Sequence, residues 1–266
     1  MRLTVIGSSG SMSGPASPAS CYLVQADGPG PDGAARTWSV VLDLGPGAMG
    51  ALLNHVDPAE VDLVAITHLH ADHMVDLIGM QVYRRWHPDG VLAPVPVLAP
   101  SGALERVRGV GGDPESETYA GEFRFLEHDP ATPLRVGPLR VESFPVEHPV
   151  PAYGIRVTGP GSVPDGPAEV SVAYTGDTDS CRGVVELATG VDLLLSEAAF
   201  QEGRDTVRGV HMTGCRAGAA ATAGGARRLV LTHLQPWTDP AVVRAEAEAT
   251  FAGPVEVAVP GATWEL

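Results

Sequence analysis

Short runs of aliphatic and β-branched residues, bounded by Gly, Pro or Asp, recur along the whole chain. The runs "RLTVI" (2–6), "CYLVQ" (21–25), "WSVVLDL" (38–44), "DLVAIT" (62–67), "VPVLA" (95–99) and "EFRFLEH" (122–128) read as β-strands. So do "LRVESFPVEH" (139–148), "AYGIRVT" (152–158), "EVSVAYTG" (169–176), "DLLLSEA" (192–198), "RLVLTH" (228–233) and "VEVAV" (255–259). Helical periodicity predicts helices over 48–56, 73–86, 101–109, 181–189, 213–224 and 239–251. The last has a clear start, with Asp239 as cap and Pro240 at the first turn. The segments 26–37 and 159–168 are rich in Gly, Pro and Asp and read as exposed loops. Neither is long enough to divide the chain, so residues 1–266 are read as a single α/β domain. Two runs echo one another: "LVAITHL" (63–69) and "LVLTHL" (229–234) are buried-type strands that both end in Thr-His-Leu. The echo suggests two related halves that deliver histidines to a shared cleft.

Composition narrows the function. No apolar run reaches the roughly eighteen residues that span a membrane, and the start "MRLTVIGSSG" reads as a strand and a turn rather than a signal peptide. Cys21, Cys181 and Cys215 are too far apart for a Cys-based zinc site, and as an odd set of three they do not suggest a disulfide framework. Reduced thiols and a cytoplasmic location are expected. The formal net charge is −15, and all 17 basic residues are Arg. Such a surface repels polyanions at long range and argues against large nucleic acids. A small anionic substrate remains compatible, because a local metal charge overrides the global field.

The chemistry concentrates in "THLHADH", residues 67–73. Three of the nine histidines and an aspartate follow directly on a buried strand. Residues two apart in extended chain point the same way, so His68 and His70 can reach one point. Asp72 and His73 lie beyond a bend and reach a neighbouring point. Imidazole and carboxylate suit zinc, manganese or iron. One loop serving two adjacent points can hold two metals about 3.5–4 Å apart.

His68-Leu69-His70-Ala71-Asp72-His73 resembles the signature of the metallo-β-lactamase superfamily. That resemblance implies an αββα sandwich of two mixed sheets flanked by helices, with two divalent metal ions at its rim. It also implies further metal ligands: His148 in "FPVEH", Asp177 in "AYTGDT" as a carboxylate shared by both metals, and His233 in "LVLTH". Asp43 in "VVLDLG" resembles an aspartate that orients a ligand imidazole. A shared Asp in place of a Cys argues against the commonest true β-lactamases. "DLLLSEAAF" and "GVHMTGCRAGAAA" resemble motifs of the ribonuclease Z and phosphodiesterase branch, with Glu197, His211 and Thr213 on the matching positions and Ser196 replacing a histidine.

In that branch the resemblance implies metal-assisted hydrolysis of a phosphodiester. His211, oriented by Glu197, protonates the leaving oxygen, and Asp72 serves nucleophile as well as metal. Only 28 residues separate His148 from Asp177, which leaves no room for the long tRNA-gripping arm of ribonuclease Z. The ends of the chain resemble an actinobacterial group that includes an atypical cyclic-AMP phosphodiesterase. A cyclic nucleotide is therefore the expected substrate, with zinc as the expected metal and a homodimer as the expected assembly. Tyr153 and Trp237 are candidate aromatic contacts for its base, and Thr213 a further substrate contact. Alternatives are tRNA 3′-end cleavage, thioester or lactone hydrolysis on the same scaffold, and a metal-binding scaffold without turnover.

Overall fold

A computed structural model describes residues 1–266. The first sheet is assembled from β1 (Arg2–Gly7), β2 (Cys21–Pro29), β3 (Ala35–Leu42), β4 (Leu63–Ala65), β5 (Val95–Ala99) and β6 (Phe123–Glu127). The second uses β7 (Leu134–Val136), β8 (Leu139–Pro145), β9 (Tyr153–Pro160), β10 (Glu169–Tyr174), β11 (Leu193–Glu197), β12 (Leu229–Thr232) and β13 (Val255–Val257). The last strand, β14 (Thr263–Glu265), returns to the edge of the first sheet. The orders are β14-β1-β2-β3-β4-β5-β6 and β13-β12-β11-β10-β9-β8-β7.

Apolar residues on the facing sides of the sheets, among them Leu3, Tyr22, Val40, Leu63, Val157, Tyr174, Leu195 and Val230, form the central core. The outer side of the first sheet packs on α1 (Ala48–Leu52), α3 (Leu77–Arg85) and α4 (Ala103–Gly111) through Leu52, Leu77, Met80 and Val107. The outer side of the second packs on α5 (Arg182–Leu187), α6 (Gly214–Gly224) and α7 (Pro240–Glu248) through Leu187, Ala217, Ala221 and Val243. Both sheets are covered on both sides, which explains why their central strands read as continuous aliphatic runs.

The pairing pattern repeats. In each sheet three antiparallel pairs are followed by three parallel ones: β14, β1, β2, β3 and then β4, β5, β6; β7, β8, β9, β10 and then β11, β12, β13. The halves are thus related, but not through the sequence echo. By position β4 corresponds to β11, whereas β12 corresponds to β5. The true counterparts are β3 and β10, which end just before Asp43 and Asp177.

Several elements depart from expectation. The helix expected over 73–86 is two: α2 (Ala71–Met74) and α3. Between them the Asp76 amide donates to Leu44 O (3.1 Å), the His73 carbonyl accepts from Leu44 N (2.7 Å), and Asp76 Oδ2 accepts from Met49 N (2.8 Å). Those tertiary bonds replace the helical ladder. The segment 26–37 is largely a hairpin, paired from Tyr22↔Leu42 out to Pro29↔Ala35. The strand expected over 139–148 is preceded by β7, and Gly137 (φ 55°) makes the turn between the two copies of Leu-Arg-Val.

Candidate active site

The parallel strands end on one rim, where an open α/β sheet presents its ligands. Chain leaving β3 carries Asp43, that leaving β4 carries His68, His70, Asp72 and His73, and that leaving β8 carries His148. Asp177 follows β10, Glu197 ends β11 and His233 follows β12. Asp43 and His233 both have φ of 57°, a left-handed conformation that a non-glycine residue adopts only when its surroundings enforce it.

His68 Nε2 and His148 Nε2 each lie 3.1 Å from His70 Nδ1, so three imidazoles share one point. Beside it, His73 Nε2 is 3.3 Å from Asp72 Oδ2 and 3.2 Å from Asp177 Oδ1, and His233 Nε2 is 3.3 Å from Asp177 Oδ2. Asp177 Oδ2 also stands 3.8 Å from His68 Nε2, which places this one carboxylate between the two clusters. A third grouping joins Asp177 to Glu197 and His211.

The outward nitrogens of these rings are fixed by partners. His148 Nδ1 donates to Val210 O (2.9 Å) and His73 Nδ1 to Asp43 Oδ2 (2.6 Å). Both protons are directed outward, so each Nε2 presents its lone pair to the centre. His233 Nδ1 is held by Ser20 Oγ (2.9 Å) and His68 Nδ1 by Thr67 Oγ1 (3.1 Å). Asp43 is completely buried, and it also accepts from Thr67 N (2.7 Å) and the Tyr174 hydroxyl (2.9 Å).

The electrostatics ask for a cation. Burial pushes the His68, His148 and His233 imidazoles below their ordinary range, which keeps them neutral and able to ligate. Burial also opposes charge on His73, but Asp177 and then Asp43 outweigh it and drive this imidazole well above its usual range. Positive charge is demanded at that point. A proton does not satisfy it geometrically, because His73 Nε2 and Asp177 Oδ1 are both buried and neither has a hydrogen-bond partner. A divalent cation between the two satisfies both atoms, so the residues fit the metal that the motif implies.

Glu197 is wholly buried and accepts from Thr178 N (2.9 Å), Ala199 N (3.0 Å) and Met212 N (3.2 Å), all donors suited to a carboxylate. His211 Nδ1 lies 3.1 Å from its Oε1. Burial works against the His211 imidazolium, but Glu197 and then Asp177 overcome it and raise His211 to about 9. The ring is therefore charged at neutral pH.

Sequence reasoning missed several supports. Buried Asp179 accepts from Arg208 Nε (2.6 Å), Arg216 Nη1 (3.1 Å) and Gly209 N (2.8 Å). It thereby pins the segment that carries both the Val210 carbonyl and His211. Asp179 lies two residues past Asp177, and Thr67 and Tyr174 also flank motif residues, whereas Ser20 lies near none.

The candidate substrate contacts divide. Thr213 is fully buried; its hydroxyl donates to Glu202 Oε2 (2.7 Å) and accepts from Arg216 N (3.3 Å) as the N-cap of α6. Its expected place as a substrate contact is corrected: it is a helix cap with no free hydroxyl. The Tyr153 ring stacks on His128 (centroids 4.3 Å apart, 25° between planes), so one face is covered. Trp237 is 63% exposed on the turn after His233.

Fold and site together define a metallo-hydrolase, a sandwich with a histidine- and carboxylate-lined rim. The beta-lactamase superfamily domain matches residues 39–234, and the chain belongs to that superfamily. It is 39% identical to an uncharacterized protein of Mycobacterium leprae over all of this chain and 89% of that one. It is 28% identical to the probable metallo-hydrolase YhfI of Bacillus subtilis, with each chain covered in full. The crystal structure of YhfI superposes with a TM-score of 0.83 at 26% identity over 100% of this chain and 99% of that one. Ribonuclease Z of Myxococcus xanthus is 28% identical over 85% of this chain and 88% of its own. No helix is long and apolar enough to cross a membrane.

Proposed function

We propose that the protein is a phosphodiesterase with a dinuclear metal site, acting on a small phosphodiester, with a cyclic nucleotide such as cyclic AMP as the substrate to test first. The observation that carries the reading is Asp177. It stands between a three-imidazole cluster and an Asp72–His73–His233 cluster, and its Oδ1 is buried without a partner. His68, His70 and His148 would hold one cation, Asp72, His73 and His233 the other, and Asp177 would serve both. Divalent ions, zinc first, would make water acidic enough to act at neutral pH and would neutralise charge growing on the phosphoryl oxygens.

The chain's own groups supply the rest. Asp43 holds His73 in the ligating tautomer. His211, kept charged by Glu197, is placed to give a proton to the departing oxygen. That acid is what an alkoxide leaving group needs and a thiolate does not, which favours a phosphodiester over a thioester substrate. A ribonuclease among the relatives points to the same bond. Between His148 and Asp177 the chain makes β9, the loop 161–168 and β10, with no arm to grip tRNA. A small substrate needs none.

Trp237 is exposed on the turn four residues after His233, and stacking on a base is worth roughly 1–3 kcal/mol. Trp237→Ala is therefore expected to raise KM for cyclic AMP about tenfold or more. Turnover of base-free bis-p-nitrophenyl phosphate should be nearly unchanged. The function itself is tested by offering metal-loaded protein cyclic AMP, precursor tRNA and a p-nitrophenyl carboxylic ester. Hydrolysis of the first alone is expected. Cleavage of tRNA, or of the ester alone, replaces this reading.

A further inference from the structure

Most arginines in this acidic chain are neutralised by a carboxylate. Around the metal rim, Arg208 and Arg216 share Asp179, and Arg204 pairs with Asp205. Arg84 and Arg156 spend their guanidinium groups on backbone carbonyls. Arg106, Arg124 and Arg135 remain; all three are exposed, and none has a carboxylate within 4.0 Å. Arg124 pairs with Pro96 near the start of β5 and β6, at the far ends of the parallel strands from the metal ligands. Arg106 stands on the near side. It lies in the first turns of α4, the helix that follows the C-terminal end of β5.

Its tether is specific. Arg106 Nε donates to Leu69 O at 3.1 Å, and Leu69 is the residue between His68 and His70. The helix is anchored from beneath by buried Ala103 and Val107, which leaves Arg106 on the open face. That bond ties the guanidinium to the backbone of the ligand loop. Neither Nη group is committed to a protein partner. An uncompensated, forked cation tied to the carbonyl between His68 and His70 is an unusual placement in a chain of net charge −15. It fits one kind of guest, an anion with paired oxygens.

We propose that Arg106 is the residue that reads the substrate's negative charge, its free Nη groups taking an anionic phosphoryl oxygen of the phosphodiester as it approaches the metal cluster. The inference rests on the phosphodiesterase reading and assigns a specificity role to a residue outside the ligand and acid motifs. It also accounts for how an anion enters a molecule whose overall field repels it.

The experiment compares wild type with Arg106→Ala, Arg106→Lys and the equal-charge control Arg124→Ala, all loaded with manganese. Steady-state constants for cyclic AMP are read at low and moderate salt, and binding of inorganic phosphate is read by calorimetry. Arg106→Ala should raise KM and the phosphate Kd about tenfold while kcat stays within about threefold. Arg106→Lys should fall between, Arg124→Ala should match wild type, and the salt dependence of KM should shrink in Arg106→Ala alone. A KM and phosphate Kd within about twofold of wild type would overturn the assignment. So would a joint fall of kcat, metal content and melting temperature, which marks a role confined to holding Leu69. If wild type hydrolyses no phosphodiester, the function reading fails by itself, and phosphate binding alone decides the role of Arg106.

Discussion

A single imidazole shows how role follows from surroundings at the scale of the residue. His73 and His211 are both buried, and both are raised by carboxylates. His73 is enclosed by Asp43, Asp72 and Asp177, with its Nε2 lacking a partner, which fits the ligand role proposed for it. His211 faces Glu197 through Nδ1 and shares only Asp177 with the two clusters that hold the other histidines, which fits the acid role proposed for it. His211→Ala should therefore keep its metal content and lose about 10²-fold or more in turnover of cyclic AMP. Metal analysis and initial rates check this together. Full activity on that substrate would remove the proton-donor role, whereas loss of metal would make His211 a ligand. The histidines of this site were legible because three of them crowd into seven residues. Thr213 was misread because a hydroxyl next to a motif looks the same in sequence whether it caps a helix or faces a substrate. Asp179, the residue that pins the His211 segment, was invisible because its arginine partners are 29 and 37 residues away.

Elements matter here mostly by where they end. β3 and β10 occupy equivalent places in the two sheets, and each hands on a carboxylate. That equivalence lies in pairing order and could not be read from strings of residues, whereas the Thr-His-Leu echo could: its two strands each deliver a histidine to the rim, one from each sheet, but from positions that do not correspond. The split between α2 and α3 was hidden for a similar reason: the bonds from Leu44 and Met49 that break the helix are tertiary. His128 ties elements together across the sandwich. It follows β6, its Nδ1 lies 2.7 Å from Ser143 Oγ on β8, and its Nε2 donates to Ile66 O (2.9 Å) after β4. Burial lowers His128 to about 4, only partly opposed by the bond to Ile66. The unfolded chain thus takes up this proton first as pH falls. Stability from His128 is complete above about 6.5 and drains away toward 4, by up to about 3 kcal/mol. Urea unfolding at pH 7.5 and 4.5 should show wild type losing more stability than His128→Gln, which has no proton to gain. Equal losses would mean that the imidazole is not held neutral.

The whole molecule reconciles two opposed demands. Its net charge of −15 favours solubility and repels polyanions. Its rim gathers imidazoles and buried carboxylates that are complete only around cations. The sandwich makes this possible by bringing the carboxyl ends of parallel strands from both sheets to one edge, so that ligands far apart in sequence meet on rigid supports. The fold class was readable from alternating strands and helices together with one motif. The four-layer order was readable only through the family resemblance. The central claim is a two-metal phosphodiesterase, and one titration tests it most directly. Chelator-stripped protein is given manganese in steps while hydrolysis of bis-p-nitrophenyl phosphate is followed. Activity should begin near zero and saturate at about two equivalents per chain. Full turnover in the stripped protein, saturation at one equivalent, or no phosphodiester turnover at any loading would contradict the account.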